Sequence, residues 1–226
     1  MAKATSATAD RAAAEVVGLY GGTFDPVHLG HIHAACSVRE ALGLTEVRLV
    51  LAARPGHRGQ PGSAVEHRWN MLQLACAEAE GLVADDSEVR RSGASYTVAT
   101  VETLRQRHPA AAVCWILGQD AFATLPSWHR WEELLDFCNL IVIDRPGDQR
   151  DEPAEVRRLC DQHERASLDR FRIGQIVRLD LPMQEVSASE IRRRIAAVES
   201  VEHLLAAPIY TYITNHGLYI STEDPV

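Results

Sequence analysis

Two histidines three positions apart are the residues of this chain whose types and spacing most directly suggest chemistry. His28 and His31 lie in GGTFDPVHLGH, residues 21–31, between an apolar strand-like run and an alanine-rich helical run. Side chains three apart at the start of a helix project from one face, so both imidazoles can reach one phosphate. The helix N-terminus adds unpaired N–H groups and a positive dipole end. Residues 21–31 therefore predict a phosphate site.

The glycines of this segment support the same prediction. Gly21 and Gly22 allow the backbone to approach a phosphate closely because they have no side chain. The alternative is a structural glycine turn followed by two incidental histidines. The coincidence of two glycines, two histidines and a strand–turn–helix context favours the functional interpretation.

The near absence of lysine excludes several other kinds of nucleotide and cofactor site. The only lysine is Lys3, in the alanine-rich segment at the start of the sequence. A Walker-type phosphate loop, a protein-kinase strand lysine and a pyridoxal Schiff base each require a lysine inside the fold. Phosphate recognition here must therefore depend on arginine, histidine and backbone N–H groups.

Composition is compatible with a single α/β domain and leaves small phosphorylated ligands possible. The formal net charge of −8 over 226 residues disfavours binding to a nucleic-acid polymer, and 46% hydrophobic residues suffice for a substantial core. No apolar run is long enough for a membrane span or a signal peptide, which predicts a cytoplasmic protein. The five cysteines include no CxxC pair, so we expect free thiols and no metal bound by side chains.

Alternating strand and helix patterns predict how the site is positioned. The expected strands are apolar runs, and most of them are unbroken as in a sheet covered on both faces: residues 16–20, 46–52, 112–118, 139–144 and 176–180. The clearest expected helices cover residues 29–42 and 64–80. This pattern predicts an α/β fold, doubly wound and Rossmann-like, with a mostly parallel sheet and helices on both faces.

The remaining segments complete the predicted organisation. Residues 1–15 are expected to form a disordered leader, and residues 16–220 a single domain with a helical C-terminal part. Charged residues 148–173 indicate a solvated helix and loop. Ser187 followed by Glu190 is a capping-box pattern that predicts a helix start near residues 187–189, with helical structure continuing to about His216.

A collinear series of motifs resembles one protein family. GGTFDPVHLGH contains the HxGH signature of the nucleotidylyltransferase superfamily and is similar to its nicotinate-mononucleotide adenylyltransferase branch. The resemblance continues in order through further segments: PGHR (55–58), EHRWNML (66–72), SYTVATVETL (95–104), LGQDAFATLPSWHRW (117–131), DRPG (144–147), VSASEIRRRI (186–195) and YITNHGLY (212–219). The initial segment and residues 148–173 fall outside it.

The resemblance implies roles for individual residues. The implied catalytic residues are His28, His31 and Arg192, which would hold the triphosphate of ATP. The implied ATP site consists of these three together with Gly21, Gly22, Thr23, Phe24, Asp120 and Ser189. The implied mononucleotide site consists of His57, Arg58, Tyr96, Thr97, Trp128 and Arg145. In it, Tyr96 and Thr97 would recognise the nicotinate carboxylate through backbone N–H groups, and Trp128 would stack on the pyridine ring.

Three positions depart from the family pattern. Gly56 stands where the family usually has a second proline before the histidine. The triplet SAS at residues 187–189 replaces the commoner Ser-Ser-Thr, which leaves Ser189 as the matching hydroxyl. The sequence EHLLAAPIYTYI lacks the usual leucine-valine-proline step. None of these differences removes an implied ligand.

The implied activity is transfer of the AMP moiety of ATP to nicotinate mononucleotide, giving nicotinate adenine dinucleotide and pyrophosphate in NAD biosynthesis. Mg²⁺ would be carried with ATP, held mainly by phosphate and water. The expected partners are these two substrates, with no nucleic-acid polymer and no membrane, and the oligomeric state is left open. Two alternatives remain: an adenylyltransferase of the same fold for nicotinamide mononucleotide or pantetheine phosphate, and a non-catalytic dinucleotide-binding module. The GGTFDP turn lacks the GxGxxG spacing expected of the latter.

Overall fold

A parallel β-sheet forms the centre of the protein in the computed structural model, which describes residues 15–55, 61–107, 109, 111–144, 152–182, 184 and 186–220. Within these residues the sheet has seven strands in the order β3-β2-β1-β4-β5-β7-β6, and every neighbouring pair is parallel. The strands are β1 (Val16–Gly22), β2 (Glu46–Leu51), β3 (Leu82–Asp85), β4 (Ala112–Gly118), β5 (Asn139–Asp144), β6 (Glu164–Arg165) and β7 (Ile176–Asp180).

Helices cover both faces of this sheet. They are α1 (Leu29–Leu42), α2 (Val65–Ala77), α3 (Ser87–Arg90), α4 (Thr97–Arg107), α5 (Gln119–Ala123), α6 (Leu134–Phe137), α7 (Ala154–His163), α8 (Ala188–Ala196) and α9 (Ala207–Asn215). Short 3-10 turns lie at Leu125–Ser127, Trp131–Glu133 and Glu202–Leu204. Helices α1, α2, α8 and α9 contribute to the buried cluster on one face, and α4 to α7 to the cluster on the other.

The order of the strands fixes where a ligand can bind. From β1 the chain adds β2 and β3 toward one edge of the sheet. It then crosses to β4, on the other side of β1, and adds β5, β7 and β6 toward the opposite edge, so the order reverses between β1 and β4. In open α/β sheets a crevice forms at such a switch point, beyond the carboxyl ends of the strands. The loops that begin at Gly22 and Gly118 border this crevice. The predicted doubly wound, Rossmann-like fold is confirmed.

Most of the predicted elements match the structure closely. The strands at 112–118, 139–144 and 176–180 and the helix at 29–42 have the predicted bounds, and helix α7 lies in the charged segment 148–173. The helix predicted over 64–80 ends earlier, at Ala77. The C-terminal helix is also interrupted between α8 and α9, where Val198 has a φ of +57°. This left-handed conformation is incompatible with a continuing α-helix, and a β-branched residue rarely adopts it.

The hydrophobic pattern does not predict several short elements, among them β3, and it does not predict helix α4. Strand β3 has only four residues, LVAD, which is too short for a clear period. Helix α4 has the sequence TVATVETLRQR, rich in β-branched residues that favour strands over helices. It is helical because Val98, Val101 and Leu104 form one buried stripe against the sheet. None of the helices within the described ranges is long and apolar enough to cross a bilayer.

Candidate active site

The two histidines form a stacked pair at the start of α1. Their ring centroids are 3.7 Å apart with 23° between the planes. The backbone N–H of His28 donates to Nδ1 of His31 at 3.3 Å, which fixes the orientation of the second ring. Gly30 makes room for this arrangement, because a Cβ there would lie 3.1 Å from His28 Nδ1 and 3.5 Å from the backbone oxygen of Gln184. The predicted convergence of the two imidazoles is present.

Burial keeps His28 uncharged. The residue is 5% exposed, and its Nδ1 atom has no hydrogen-bond partner among the described residues. Removal from water disfavours the imidazolium ion and lowers the pKa of His28 from 6.5 to about 4. At neutral pH the ring therefore carries one N–H group and no charge. An anionic ligand beside it would favour the protonated form again.

The loop between β1 and the histidines is shaped by close ring packing. A Cβ at Gly21 would overlap the ring of Trp115 on the neighbouring strand β4, and one at Gly22 would lie 2.8 Å from the Phe24 ring. Phe24 has a φ of +49° and its ring meets that of His31 edge to face at 5.0 Å. Both glycines are therefore required by packing, a reason that sequence reasoning did not identify.

A buried arginine that was not predicted as a site residue holds this loop. Arg68 of α2 is 2% exposed and directs its guanidinium at backbone carbonyls. It donates to Thr23 at 3.0 Å, to Ala52 at 2.8 Å, to Ala53 at 3.1 Å and to Ser63 at 3.3 Å. One side chain thus connects the loops that follow β1 and β2. The available signal was an arginine that shares the helical segment EHRWNML with the buried residues Met71 and Leu72.

Arg192 reaches the same loop from α8. Its Nη1 donates to the backbone oxygen of Asp25 at 2.6 Å and lies 3.7 Å from the Asp25 Oδ2 atom. The other N–H groups of Arg192 make no hydrogen bond to any residue that the structure describes, and its side chain is 35% exposed. The structure thus brings Arg192 within one hydrogen bond of the segment that carries His28 and His31. Its unused donors are available to an anion.

Helix α8 begins at the predicted position, with one difference in its cap. Ser187 Oγ accepts the backbone N–H of Glu190 at 3.2 Å, as the capping pattern predicts. The Glu190 carboxylate does not return the bond, because it pairs with Arg193 and Arg194 at 2.8 and 2.7 Å. The predicted ligand Ser189 is exposed in the first turn, with its Oγ 3.2 Å from that of Ser187.

Asp120 lies on the other side of the switch point, at the start of α5. The side chain is exposed and bends back over Gly118, where a Cβ would be 2.8 Å from its Oδ1 atom. Burial and then the Asp120 charge raise the pKa of Tyr20, at the end of β1, to about 12. The Asp120 charge therefore acts on the end of the sheet where β1 and β4 lie side by side.

The predicted mononucleotide residues lie mainly on the opposite face of the sheet. Tyr96 and Trp128 are half-buried against the cluster that α4 to α7 cover, and the Tyr96 ring contacts His129 with centroids 4.2 Å apart. Thr97 is half-buried as the first residue of α4. The backbone N–H of Ser95 donates to the oxygen of Arg54 at 3.0 Å, which ties this group to the loop after β2. The remaining predicted residues, His57, Arg58 and Arg145, lie outside the described residues.

The fold and the site together define an α/β nucleotide-binding protein with a candidate anion site at the switch point of its sheet. The model of the cytidylyltransferase-like family matches residues 19–194. A probable nicotinate-nucleotide adenylyltransferase of Aeromonas hydrophila is 43% identical over 206 residues, 90% of this chain and 96% of that protein. One from Pseudomonas syringae is 40% identical over 208 residues, 90% of this chain and 93% of that protein.

The chain therefore belongs to the cytidylyltransferase-like family and, within it, to the nicotinate-nucleotide adenylyltransferases. A solved structure of the Plasmodium falciparum nicotinic acid mononucleotide adenylyltransferase complexed with NaAD has the same fold. It aligns with a TM-score of 0.72 at 18% identity, covering 92% of this chain and 100% of that one. The predictions of the family, of the fold and of an adenylyltransferase enzyme are confirmed.

Proposed function

We propose that this enzyme transfers the AMP moiety of ATP to nicotinate mononucleotide, with the roles given below for its own residues. A phosphate oxygen of the mononucleotide forms a bond to the α-phosphorus of ATP. The bond from that phosphorus to the bridging oxygen breaks, and pyrophosphate leaves with its electron pair. The products are nicotinate adenine dinucleotide and pyrophosphate, and no enzyme nucleophile is needed.

The observation that carries this proposal is the convergence of His28, His31 and Arg192 on one loop at the switch point. Phosphoryl-type transfers depend mostly on positioning and on stabilising charge on the phosphates. The imidazole N–H groups of His28 and His31 and the unused N–H groups of Arg192 suit the departing pyrophosphate. We assign Ser189, in the first turn of α8, and the backbone of residues 21–24 to the same proposed ATP site.

The acceptor would be held from the other side of the crevice. Tyr96 and Trp128 offer half-buried ring faces next to the first turn of α4, where backbone N–H groups lack helical partners. Donors of this kind suit a carboxylate, and a ring face suits the pyridine ring. We extend the same role to Thr97 and, beyond the described residues, assign phosphate contacts to His57, Arg58 and Arg145.

The donor set also fits a magnesium ion that arrives with ATP. Among the described residues no group of three or more His, Cys, Asp or Glu side chains is placed to hold a metal. An exposed carboxylate at the crevice, Asp120, fits a cation held mainly by phosphate oxygens and water. When bound, Mg²⁺ would neutralise charge on the triphosphate, and Asp120 would orient it or the ribose.

The choice of acceptor tests the proposal directly. Catalytic efficiency with nicotinate mononucleotide should exceed that with nicotinamide mononucleotide at least about 10-fold, or about 1.4 kcal/mol, because the proposed donors favour a carboxylate over an amide. The measurement is steady-state pyrophosphate release at saturating Mg²⁺-ATP, with pantetheine phosphate as a third acceptor. A preference for the amide or for pantetheine phosphate would contradict the acceptor assignment. No pyrophosphate with any acceptor would favour a non-catalytic module.

The histidine pair tests the catalytic assignment. His31→Ala should lower kcat at least about 1000-fold, because the imidazole is proposed to stabilise the negative charge that develops on the phosphates mainly in the transition state. His163→Ala is a matched control, since that imidazole bonds the backbone oxygen of Gly174 at 2.8 Å and lies on α7. The control should keep kcat within about twofold. Equal kcat values for the two variants would refute the role of His31.

A further inference from the structure

Tyr219 comes from the segment after α9 and returns to the loop that carries the histidines. Its hydroxyl donates to Asp25 Oδ1 at 2.8 Å and lies 3.0 Å from Ser63 Oγ. The backbone φ of Tyr219 is +65°, a left-handed value that is uncommon for a residue with a side chain. A residue stays in such an unfavourable conformation only where its contacts with the rest of the protein stabilise it. The hydrogen bonds of the Tyr219 hydroxyl are contacts of this kind.

The hydroxyl is one of three donors that satisfy a buried carboxylate. Asp25 is 4% exposed, and its Oδ2 accepts the backbone N–H of Gly62 at 2.5 Å while Oδ1 accepts Ser63 Oγ at 2.7 Å. Each hydroxyl has one hydrogen and a carboxylate only accepts, so Ser63 and Tyr219 both direct their hydrogen at Asp25. Burial raises the pKa of Tyr219 far above its ordinary value, which keeps the donor protonated.

These donors control how Asp25 interacts with Arg192. The guanidinium bonds the backbone oxygen of Asp25 at 2.6 Å, whereas its distance to the carboxylate Oδ2 is 3.7 Å. Gly62 packs between them, since a Cβ there would lie 3.1 Å from Arg192 Cδ and 3.3 Å from Oδ2. A buried carboxylate that lost a donor would draw the guanidinium into a direct charge-assisted bond. Arg192 would then turn away from the crevice.

We infer that Tyr219 is a positioning residue for ATP, which acts through Asp25 to keep the unused N–H groups of Arg192 directed at the triphosphate. The inference rests on the proposed role of Arg192 in ATP binding. According to this inference, the Tyr219 hydroxyl increases the affinity for ATP, and a phenylalanine ring packed in the same place would not. It also predicts that only the ATP side of the reaction depends on that hydroxyl.

The first experiment compares two tyrosine hydroxyls. Tyr219→Phe should weaken ATP binding about 10-fold in a calorimetric titration and leave KM for nicotinate mononucleotide within about twofold. Tyr212→Phe is the matched control, because that hydroxyl contacts His67 Nδ1 at 3.0 Å and accepts from Asn70 at 2.9 Å between α9 and α2. The control should change ATP affinity less than about twofold. Equal losses in the two variants, or equal effects on both substrates, would overturn the inference.

A double-mutant cycle then tests the route of the effect. In an Arg192→Ala background, Tyr219→Phe should change ATP affinity less than about twofold, because the residue through which it acts is gone. A full 10-fold loss in that background would overturn the inference. The binding readout separates this result from the proposed function: a wild-type protein that binds ATP without using nicotinate mononucleotide contradicts the acceptor alone. Absence of ATP binding by the wild type would overturn both.

Discussion

Two arginines near the carboxyl end of the sheet have opposite surroundings. Arg178 of β7 is 7% exposed in its side chain and bonds Glu164, Gln119, Glu152 and Cys160 at 3.0, 2.8, 2.6 and 3.3 Å. It also lies 3.4 Å from Asp144 and 5.1 Å over the Phe122 ring. Arg192 is 35% exposed and makes one hydrogen bond to the described residues.

The difference lies in how much hydrogen-bonding capacity is left over. All three guanidinium nitrogens of Arg178 have protein partners, so this side chain has little left for a ligand and its contribution is to stability. Arg192 retains most of its donors and bonds Asp25, in the loop that leads to His28 and His31. We conclude that unused donors, and not charge or burial alone, separate Arg192, which we propose binds ATP, from the structural arginine Arg178 in this fold. The distinction can be tested from both sides.

The largest expected effect concerns activity. Arg192→Ala should lower kcat/KM for ATP about 1000-fold, or about 4 kcal/mol. The variant lacks the guanidinium N–H groups that we propose stabilise the negative charge of the triphosphate in the transition state. The melting temperature should stay within about 2 °C, since the side chain is partly exposed and makes one bond. Arg193→Ala is the control, as the next residue of α8 pairs with Glu190 and Glu199 at the surface. If both variants lose activity equally, Arg192 has no special place in the site.

The second effect concerns stability. Arg178→Met should lower the free energy of unfolding by about 3–4 kcal/mol, because the buried carboxylates of Asp144 and Glu152 lose their cation. Its kcat should fall less than about tenfold. Denaturant titration and steady-state kinetics on the same preparations give both quantities. A loss of kcat as large as that of Arg192→Ala, without a loss of stability, would break the comparison between the two arginines.

The smallest expected effect is on the pH dependence of stability, and it tests whether His28, in the same proposed site as Arg192, is held uncharged by burial. With its pKa lowered from 6.5 to about 4, His28 binds fewer protons in the folded than in the unfolded protein between these values, so stability falls as pH falls. Between pH 7 and 5 the unfolding free energy of the wild type should drop about 2 kcal/mol more than that of His28→Asn. Parallel pH profiles of the two proteins would show that His28 is not held neutral by burial.

The parts of this architecture that depend on local pattern were predictable. Strand β4 is a continuous apolar run, β5 is apolar between Asn139 and Asp144, and β7 is a short run with Arg178 among apolar residues. Helix α1 follows a glycine turn and has a clear helical composition, so the bounds of these elements follow from the residues themselves. The histidine pair was predictable for the same reason, because residues three apart on a helix start must be neighbours. Helix α4 was not, since its β-branched residues become helical only through packing on the sheet.

The residues that sequence reasoning missed act through distant partners. Asp25 stands inside the recognised motif, but its donors come from Gly62, Ser63 and Tyr219, far along the chain. Arg68 bonds carbonyls of two loops whose proximity depends on the sheet order. Neither set of contacts leaves a periodic signal in the sequence. The distinction between Arg178 and Arg192 is likewise invisible there, because it depends on the number of partners.

The bond between Tyr219 and Asp25 also determines when during synthesis the site can be completed. The two residues are 194 positions apart, so Asp25, His28 and His31 leave the ribosome long before the phenol is made. Closing a loop of that length requires the intervening sheet to have formed, because long-range contacts are entropically unfavourable in an unfolded chain. A nascent or C-terminally clipped chain would hold the histidine pair beside a carboxylate that lacks one donor. If Tyr219 positions Arg192 as inferred, full ATP affinity would appear only after Tyr219 has emerged and the sheet has folded.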